Sequence, residues 1–329
     1  MSTAFTQADR DLAAQAPPIQ FKQLHPTFAA EASGVDFRNV TPAVVAAIKI
    51  ALAKYGVLVF RKTGLTDKEH VEMSRLFGPL DDVTPYITGL GQINRLAYDQ
   101  LFDVSNINPD GTLTQPGSKR DILARCNVNF HVDSAFNPRR AGYSLLLAHE
   151  LPPAGTGGDT EFADSRQAYA DLDEATKEEI RDWIVNNSQF QCRRVASQNH
   201  PMLMVPEYDP KNNRFGQHRL VQLHEPSGRM NMYIAAHAYS VVGMDEEESQ
   251  RRLAELLAWA AQDKYKISLG WHDPGDLMIW DNTCVMHRAT GGAFEGKYRR
   301  DCRRSTVHDM STQAWGLNEV GATWRSGLP

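Results

Sequence analysis

The segment Phe130-His131-Val132-Asp133 places two metal-ligand residue types two positions apart, and this spacing constrains the fold more than any other feature. In an extended strand, side chains two positions apart lie on one face, so His131 and Asp133 are expected to point into one cavity. His287, which ends the segment Val285-Met286-His287, would add a third ligand. Two imidazoles and one carboxylate on one side of a metal are the ligand set of non-haem Fe(II) oxygenases. The fold would therefore have to bring residue 287 back to residue 131.

A His-x-Asp triplet alone is weak evidence, but the stretch from Tyr298 to His308 strengthens it. Alternate residues in this stretch form two faces, and the face that carries Arg300, Cys302 and Arg304 is the more apolar one, so we expect it to point inward. Buried arginines need anionic partners, and two of them on one face can bind carboxylates in bidentate fashion. The alternative is a strand exposed on both faces, whose arginines are solvated.

Composition indicates a globular protein and excludes some classes of partner. The 329 residues are 42% hydrophobic and 23% charged, which is ordinary for a chain that buries a sizeable core. The formal charge of −5 gives no basic surface for nucleic acid. No apolar run approaches the roughly 18 residues that cross a bilayer, and the first residues do not resemble a signal peptide. We expect a soluble cytoplasmic protein without nucleic-acid or membrane partners. The sequence is compatible with a homo-oligomer.

The four cysteines, Cys126, Cys192, Cys284 and Cys302, are widely spaced and form no C-x-x-C pair. This pattern suggests neither a disulfide framework nor a cysteine zinc site, and a reducing setting fits it best.

Segment patterns predict the organisation of the chain. Residues 1–18 are read as a flexible N-terminal arm and residues 19–329 as a single domain. Helices are predicted from Thr41-Pro42 to Gly56 and from the capping box at Thr66, and a lid region at about 81–120 is rich in glycine, proline and asparagine. Strands outnumber helices, so the predicted fold is mainly β with flanking helices, a double-stranded β-helix of the jelly-roll or cupin-like kind.

An ordered set of motifs resembles the taurine dioxygenase and 2,4-dichlorophenoxyacetate dioxygenase family of Fe(II)- and 2-oxoglutarate-dependent oxygenases. The matches extend from about residue 77 to Thr306. They include Phe77-Gly78-Pro79-Leu80, Val104-Ser105-Asn106, Phe130 to Phe136, Gly157 to Asp164, His224 to Arg229, Pro274 to Leu277, Trp280-Asp281-Asn282, His287 to Thr290 and Arg300 to Thr306.

The resemblance implies a role for each matching position. His131, Asp133 and His287 match the iron ligands, and the implied cofactors are Fe(II), 2-oxoglutarate as co-substrate and O₂. Thr160 and Arg300 match the residues that hold the distal carboxylate of 2-oxoglutarate. Arg304 matches a second arginine near the metal, which pairs with an anionic substrate or with the inner carboxylate of the co-substrate. Asn127, Ser134 and Phe136 lie where family members contact substrate.

The reaction implied is oxidation, most simply hydroxylation, of a C–H bond in a small carboxylate-bearing substrate, with succinate and CO₂ as co-products. The region after Phe77-Gly78 lacks the histidine with which the taurine enzyme holds a sulfonate and has Asp81, Asp82 and Tyr86 instead, which argues against taurine itself. Desaturation or cyclisation and a nucleobase substrate stay open. From the residues alone, a zinc hydrolase is the alternative from a different class.

Overall fold

The computed structural model describes residues 5–88 and 93–325. Within these residues the helices are α1 (Gln7–Ala13), α2 (Pro42–Tyr55), α3 (Asp67–Phe77), α4 (Thr84–Thr88), α5 (Lys119–Ala124), α6 (Ser165–Ala170), α7 (Glu174–Ile180), α8 (Gln189–Ala196) and α9 (Glu246–Ala260). The strands are β1 (Gln20–Gln23), β2 (Ala30–Ser33), β3 (Val57–Phe60), β4 (Leu101–Ser105), β5 (Ala141–Glu150), β6 (Thr160–Asp164), β7 (Ile184–Asn187), β8 (Gly216–Arg219), β9 (Val221–His224), β10 (Arg229–Met232), β11 (Ala238–Val241), β12 (Lys266–Leu269), β13 (Leu277–Asp281), β14 (Val285–Ala289) and β15 (Asp301–His308). Short 3-10 helices occupy Phe37–Asn39, Arg125–Val128, Pro201–Leu203, Pro206–Tyr208, Pro210–Asn212 and Asp263–Tyr265.

A seven-stranded sheet with the order β1-β2-β3-β13-β5-β15-β4 is the largest element. Its central strand β13 pairs antiparallel with β3 and β5, and only β2 and β3 pair in parallel. All five residues of β13 and all four of β3 are buried. Both strands are continuous apolar runs because both faces of the sheet are covered.

Helices cover the outer face of this sheet. Ile48 and Leu52 of α2 are fully buried against Leu58 of β3 and Ile279 of β13. Burial of such aliphatic side chains stabilises the fold by about 1.5–3 kcal/mol each. As predicted, α2 begins at the N-cap Thr41 with a proline in its first turn, and it ends at Gly56, whose φ of 69° favours glycine. The predicted capping box of Thr66 and Glu69 also opens α3.

The inner face of the large sheet packs against a three-stranded sheet with the order β12-β6-β14. Phe162 of β6 and Val285 of β14 join Met278 of β13 in this core. A further core combines the sheet β11-β7-β8 and the hairpin of β9 and β10 with helix α9. Phe130, Val132 and Met286 belong to this further core, so the residues beside the candidate metal ligands lie where the two cores meet.

The fold is mainly sheet with flanking helices, as the sequence predicts, but several local predictions differ from it. Residues 7–13 form helix α1 in the predicted arm, of which residues 1–4 lie outside the described part of the chain. The predicted lid contains β4, which pairs with β15 as an edge strand of the large sheet; residues 89–92 of that region are also outside the described part. Among the described residues, no helix is long and apolar enough to span a membrane.

Candidate active site

His131 and His287 face each other across an isolated β-bridge. The backbone N–H of His131 donates to the carbonyl of His287 at 2.9 Å, and that of His287 donates to the carbonyl of His131 at 2.8 Å. The predicted strand at Phe130–Asp133 is wrong in detail, because the bridge at His131 is its only β pairing within the described part of the chain and a turn follows it. Ser134 in that turn has a φ of 56°. A bridge and a tight turn, rather than a regular strand, therefore bring the ligand side chains together.

Asp133 completes the group and is held by three neighbours. Its backbone N–H donates to Oδ1 of Asn282 at 3.0 Å, and the hydroxyl of Ser144 donates to its Oδ2 at 2.6 Å. Nη1 of Arg304 lies 2.6 Å from its Oδ1. The candidate ligand atoms of His131, Asp133 and His287 are all buried and lie within 4.8 Å of one another.

The protonation of the two imidazoles suits metal binding. Nδ1 of His131 lies 2.8 Å from the carbonyl oxygen of Asn129, which can only accept, so Nδ1 carries the proton and Nε2 keeps its lone pair. Burial lowers the pKa of His131 and of His287, which keeps both rings neutral. Two neutral imidazoles and one carboxylate are a donor set that fits Fe(II).

Aromatic side chains of the inner core fix the ring of His287. Trp280 of β13 lies 4.5 Å from it between ring centroids, and Phe162 of β6 stacks beneath it at 6.3 Å. The indole N–H of Trp280 donates to Oδ1 of Asn282, the same atom that receives the N–H of Asp133. The motif Trp280-Asp281-Asn282 therefore supports two of the three ligands, a role that its family resemblance alone did not specify.

Arg300 is buried and has no counter-ion among the described residues. Its Nε donates to the carbonyl of Gly158 at 3.1 Å, and its guanidinium lies 5.9 Å from the ring centroid of Trp271. Within the described residues no carboxylate forms an ion pair with it, although its exposed fraction is only 7%. Gly158 has a φ of +89°, and a Cβ there would lie 3.3 Å from the Arg300 side chain. Thr160, two residues further on, is buried at the start of β6. A buried guanidinium without a counter-ion in the described residues is the kind of group that a carboxylate can neutralise.

The predicted substrate residues lie at different distances from the ligand group. Phe136 is buried, and its ring centroid lies 4.9 Å from that of His237, which in turn lies 5.8 Å from that of His131. Ser134 and Asn127 are half-buried, and within the described residues neither side chain hydrogen-bonds to the three ligands. The structure therefore brings Phe136 to the site through His237, a residue that no sequence motif indicates.

A disulfide joins Cys126 to Cys192, which corrects the expectation that the cysteines form none. The two positions are 66 residues apart, and a separation of this kind carries no signal in a single sequence. Cys126 lies in the 3-10 helix Arg125–Val128 just before His131, and Cys192 lies on α8. The expected reducing setting loses the support that it drew from the cysteines.

Two other groups of described residues resemble metal ligands, but their atoms are already engaged. Cys126 and Cys192 lie with His237, and their sulfurs are joined to each other. His224 and Asp281 lie with Cys284; Nε2 of His224 contacts Oδ2 of Asp281 at 3.0 Å, and the threonine at position 283 donates to Oδ1 of the same carboxylate. Among the described residues, the group formed by His131, Asp133 and His287 is the one that combines two imidazoles with a carboxylate, and Arg304 contacts that carboxylate.

A buried set of two imidazoles and one carboxylate, in a chain that also buries an arginine without a counter-ion among its described residues, is typical of a metal-dependent dioxygenase that takes a carboxylate co-substrate. The family model described as "Taurine catabolism dioxygenase TauD, TfdA family" matches residues 20–306, and the chain belongs to this family. The chain is an oxidoreductase that uses a metal ion, 2-oxoglutarate (alpha-ketoglutarate) and O₂.

Relatives agree over nearly the whole chain. The alpha-ketoglutarate-dependent 2,4-dichlorophenoxyacetate dioxygenase of Burkholderia sp. (strain RASC) is 33% identical over 312 residues, which cover 93% of this chain and 99% of that protein. The enzyme of the same name from Cupriavidus pinatubonensis is 34% identical over 87% of this chain and 96% of its own length. The crystal structure of AAD-2 in complex with Mn(II) and N-oxalylglycine superposes with a TM-score of 0.81 at 32% identity, covering 89% of this chain and 98% of that one.

Proposed function

We propose that the chain is an Fe(II)- and 2-oxoglutarate-dependent dioxygenase that oxidises, and most simply hydroxylates, a C–H bond in a small aryloxy carboxylate. His131, Asp133 and His287 hold the iron, and the two sheets that flank them form a jelly roll within a single domain. The observation that carries the proposal is the pairing of this ligand group with Arg300, whose buried charge lacks a carboxylate partner among the described residues. The names of the relatives supply the substrate class.

Each residue of the site has a task in this proposal. When bound, Fe(II) with 2-oxoglutarate supplies the O₂-activating chemistry whose co-products are succinate and CO₂. Arg300 and Thr160 hold the distal carboxylate of 2-oxoglutarate. Ser144 and Asn282 orient Asp133, and Trp280 and Phe162 fix the plane of His287, so the ligands are positioned before any ion arrives.

Arg304 contacts one metal ligand and has further donors for a bound acid. It contacts Asp133 through Nη1, while its Nε is buried and has no hydrogen-bond partner among the described residues. A guanidinium presents several donors in one plane, so Arg304 can keep its contact with Asp133 and still bind the inner carboxylate of 2-oxoglutarate or an anionic substrate. Phe136 would pack against the aryl part of the substrate, with Ser134 and Asn127 at its margin.

The test is an assay of succinate formation and O₂ uptake with phenoxyacetate, 2,4-dichlorophenoxyacetate, taurine and a purine, each with and without Fe(II) and 2-oxoglutarate. We expect succinate that depends on Fe(II), on 2-oxoglutarate and on an aryloxy acid, and His131→Ala should lose it. Product analysis by mass spectrometry separates hydroxylation from desaturation or cyclisation. Stimulation by taurine or the purine alone would replace the substrate class, and hydrolysis that needs zinc but not 2-oxoglutarate would refute the proposal.

A further inference from the structure

Four arginines are almost fully buried in the described part of the chain, and they divide into two pairs. Arg140 and Arg166 form ion pairs with Asp309 and Asp164 at 2.8 Å and 2.9 Å, so their charges are compensated within the fold. Arg300 and Arg193 have no such partner among the described residues. A buried charge without a partner lowers the stability of the fold. A protein that keeps such a charge is therefore expected to use it for binding or catalysis. For Arg300 that use is to bind the co-substrate.

Arg193 is the buried arginine that the proposed mechanism leaves unused. It lies on α8, its exposed fraction is 8%, and Nη1 is buried without a hydrogen-bond partner in the described residues. The ring of Phe190 lies 5.9 Å from its guanidinium carbon. Burial lowers the pKa of Arg193 to about 10, and the phenol of Tyr208 is the only group that acts against that shift. The side chain therefore remains a cation at neutral pH, and no carboxylate of the described residues forms an ion pair with it.

The surroundings of Arg193 connect it to the metal ligands. The ring of His237 lies beside the rings of both His131 and Phe136. Burial lowers the pKa of His237 to about 3, and the charges of His131 and Arg193 act in the same direction. Nδ1 of His237 is also buried without a partner in the described residues. The disulfide between Cys126 and Cys192, the residue next to Arg193, ties α8 to the segment that leads into His131. The disulfide thus links two unsatisfied groups, the guanidinium of Arg193 and the imidazole of His237, because Nε2 of His237 lies 3.8 Å from Sγ of Cys126.

We propose that Arg193 binds the carboxylate of the substrate, beside His237, and that it determines the preference of this enzyme for anionic substrates. The inference rests on the proposed function, since it assigns the charged end of the substrate used at that site. A carboxylate is the ligand that a buried guanidinium selects, because it can accept two parallel N–H bonds and neutralise the charge. Arg304, whose Nη1 contacts Asp133, can then bind the inner carboxylate of 2-oxoglutarate with its remaining donors.

The experiment compares an acid with its neutral analogue. Phenoxyacetate and 2-phenoxyethanol are titrated calorimetrically into protein loaded with Mn(II) and 2-oxoglutarate without O₂, so that binding is separated from turnover. Arg193→Met should weaken phenoxyacetate at least about tenfold and leave 2-phenoxyethanol and 2-oxoglutarate unchanged. Arg193→Lys should have an intermediate preference for the acid. The control Arg194→Met, on the same helix, removes an ion pair with Asp209 and should bind both compounds like the unaltered protein.

Stability measurements separate a binding role from a structural one. Without ligand, Arg193→Met should melt at or above the temperature of the unaltered protein, because the substitution removes an uncompensated buried charge. Arg140→Met should melt lower because it leaves Asp309 unpaired. A drop for Arg193→Met as large as that for Arg140→Met would overturn the inference. Failure of Arg193→Met to fold, together with an acid preference in Arg193→Lys that equals that of the unaltered protein, would also overturn it.

The two proposals fail in different ways. If the unaltered protein binds phenoxyacetate through Arg193 but forms no succinate, the binding role of Arg193 is supported and the proposed reaction is refuted. If the unaltered protein forms succinate and Arg193→Met has an unchanged KM for phenoxyacetate, the binding role of Arg193 is refuted and the proposed reaction is supported. An equal loss of affinity for phenoxyacetate and for 2-phenoxyethanol in Arg193→Met also refutes the binding role of Arg193. The same holds if the unaltered protein does not bind phenoxyacetate.

Discussion

Nη1 of Arg304 lies 2.6 Å from Oδ1 of Asp133, so the second arginine of the chain's R-x-x-x-R pair contacts a proposed metal ligand directly. A charge-assisted hydrogen bond at this distance both orients the carboxylate and leaves the rest of the guanidinium for a bound acid. Arg304 therefore couples the metal site to the site of the substrate or co-substrate.

Replacement of Arg304 by alanine should harm substrate use more than metal binding. Ser144 and Asn282 still hold Asp133 in the variant, so the ligand remains oriented. We expect kcat/KM for an aryloxy acid to fall about 10- to 100-fold, which corresponds to loss of a hydrogen bond to a charged group, roughly 1.5–3 kcal/mol. Fe(II) titration of Arg304→Ala beside Asp133→Ala checks the distinction. Equal loss of iron in both variants would mean that Arg304 acts only by positioning Asp133.

Arg300 and its neighbour Arg299 offer a matched pair for the co-substrate. Arg300 is buried on the carbonyl of Gly158, whereas Arg299 is exposed and forms an ion pair with Glu150 at 2.9 Å. Arg300→Gln should raise the KM for 2-oxoglutarate at least about tenfold, because a charged contact worth roughly 1.5–3 kcal/mol is lost. Arg299→Gln should leave it within about twofold. Steady-state succinate formation against 2-oxoglutarate concentration measures both, and the reverse order would place the co-substrate elsewhere.

The sequence indicates the members of the site better than the way in which they are assembled. His131 and Asp133 are brought together as their spacing suggests, although the element is a single bridge and a turn rather than a strand. The disulfide between Cys126 and Cys192, and the ion pair between Asp81 and Arg325, join positions far apart in the chain. A single sequence has no local pattern that reveals such contacts, because tertiary packing alone creates them.

Burial also changes what a residue type means. Arg193 is one of many arginines in the sequence, and nothing in the residues around it marks it as different. Its significance comes from the absence of a carboxylate near it in the described structure, which only the packed chain can reveal. His237 is a similar case, since its spacing from His131 carries no pattern. Local motifs therefore predict the ligands, while the cavity that selects a substrate depends on the fold.

The buried His70 predicts that acid destabilises the protein. Its Nε2 contacts the carbonyl of Leu145 at 3.2 Å. Burial lowers the pKa of His70 to about 4; the charges of His149 and Arg303 also lower it, and that of Asp67 raises it. An unfolded histidine has a pKa near 6.5, so the unfolded chain binds more protons between these values. Stability from this group is therefore fully present above pH 6.5 and is lost as the pH falls toward 4.

Between pH 7 and pH 5 the loss from His70 should be about 2 kcal/mol. Urea unfolding at the two pH values measures it, and His70→Gln should lose about 2 kcal/mol less than the unaltered protein over the same interval. His272→Gln, at an exposed position, is the control. His218, His237 and His308 also have lowered pKa values, so the unaltered protein should lose more in total than His70 alone accounts for. An identical pH dependence in His70→Gln would contradict the assignment.

The C-terminal segment should depend on pH through the ion pair of Arg325 with Asp81. Nη2 of Arg325 lies 2.7 Å from Oδ1 of this buried carboxylate, at the start of the predicted lid. Burial and the nearby Asp82 raise the pKa of Asp81 to about 6 despite the opposing charges of Arg325 and Arg304. A raised pKa means that ionised Asp81 costs stability as the pH rises through 6, and Arg325 offsets that cost.

Arg325→Ala should therefore be destabilised by about 1–3 kcal/mol at pH 8, where the carboxylate is ionised and unpaired, and by less at pH 5, where it is protonated. His308, 3.6 Å from the same carboxylate oxygen, is neutral at both pH values because its own pKa is lowered to about 4. Asp81→Asn together with Arg325→Ala should recover most of the loss at pH 8, because the amide has no charge to leave unpaired. Urea unfolding of the single and double variants at both pH values measures this, and a loss in Arg325→Ala that is equal at pH 5 and pH 8 would exclude the ion pair as its cause.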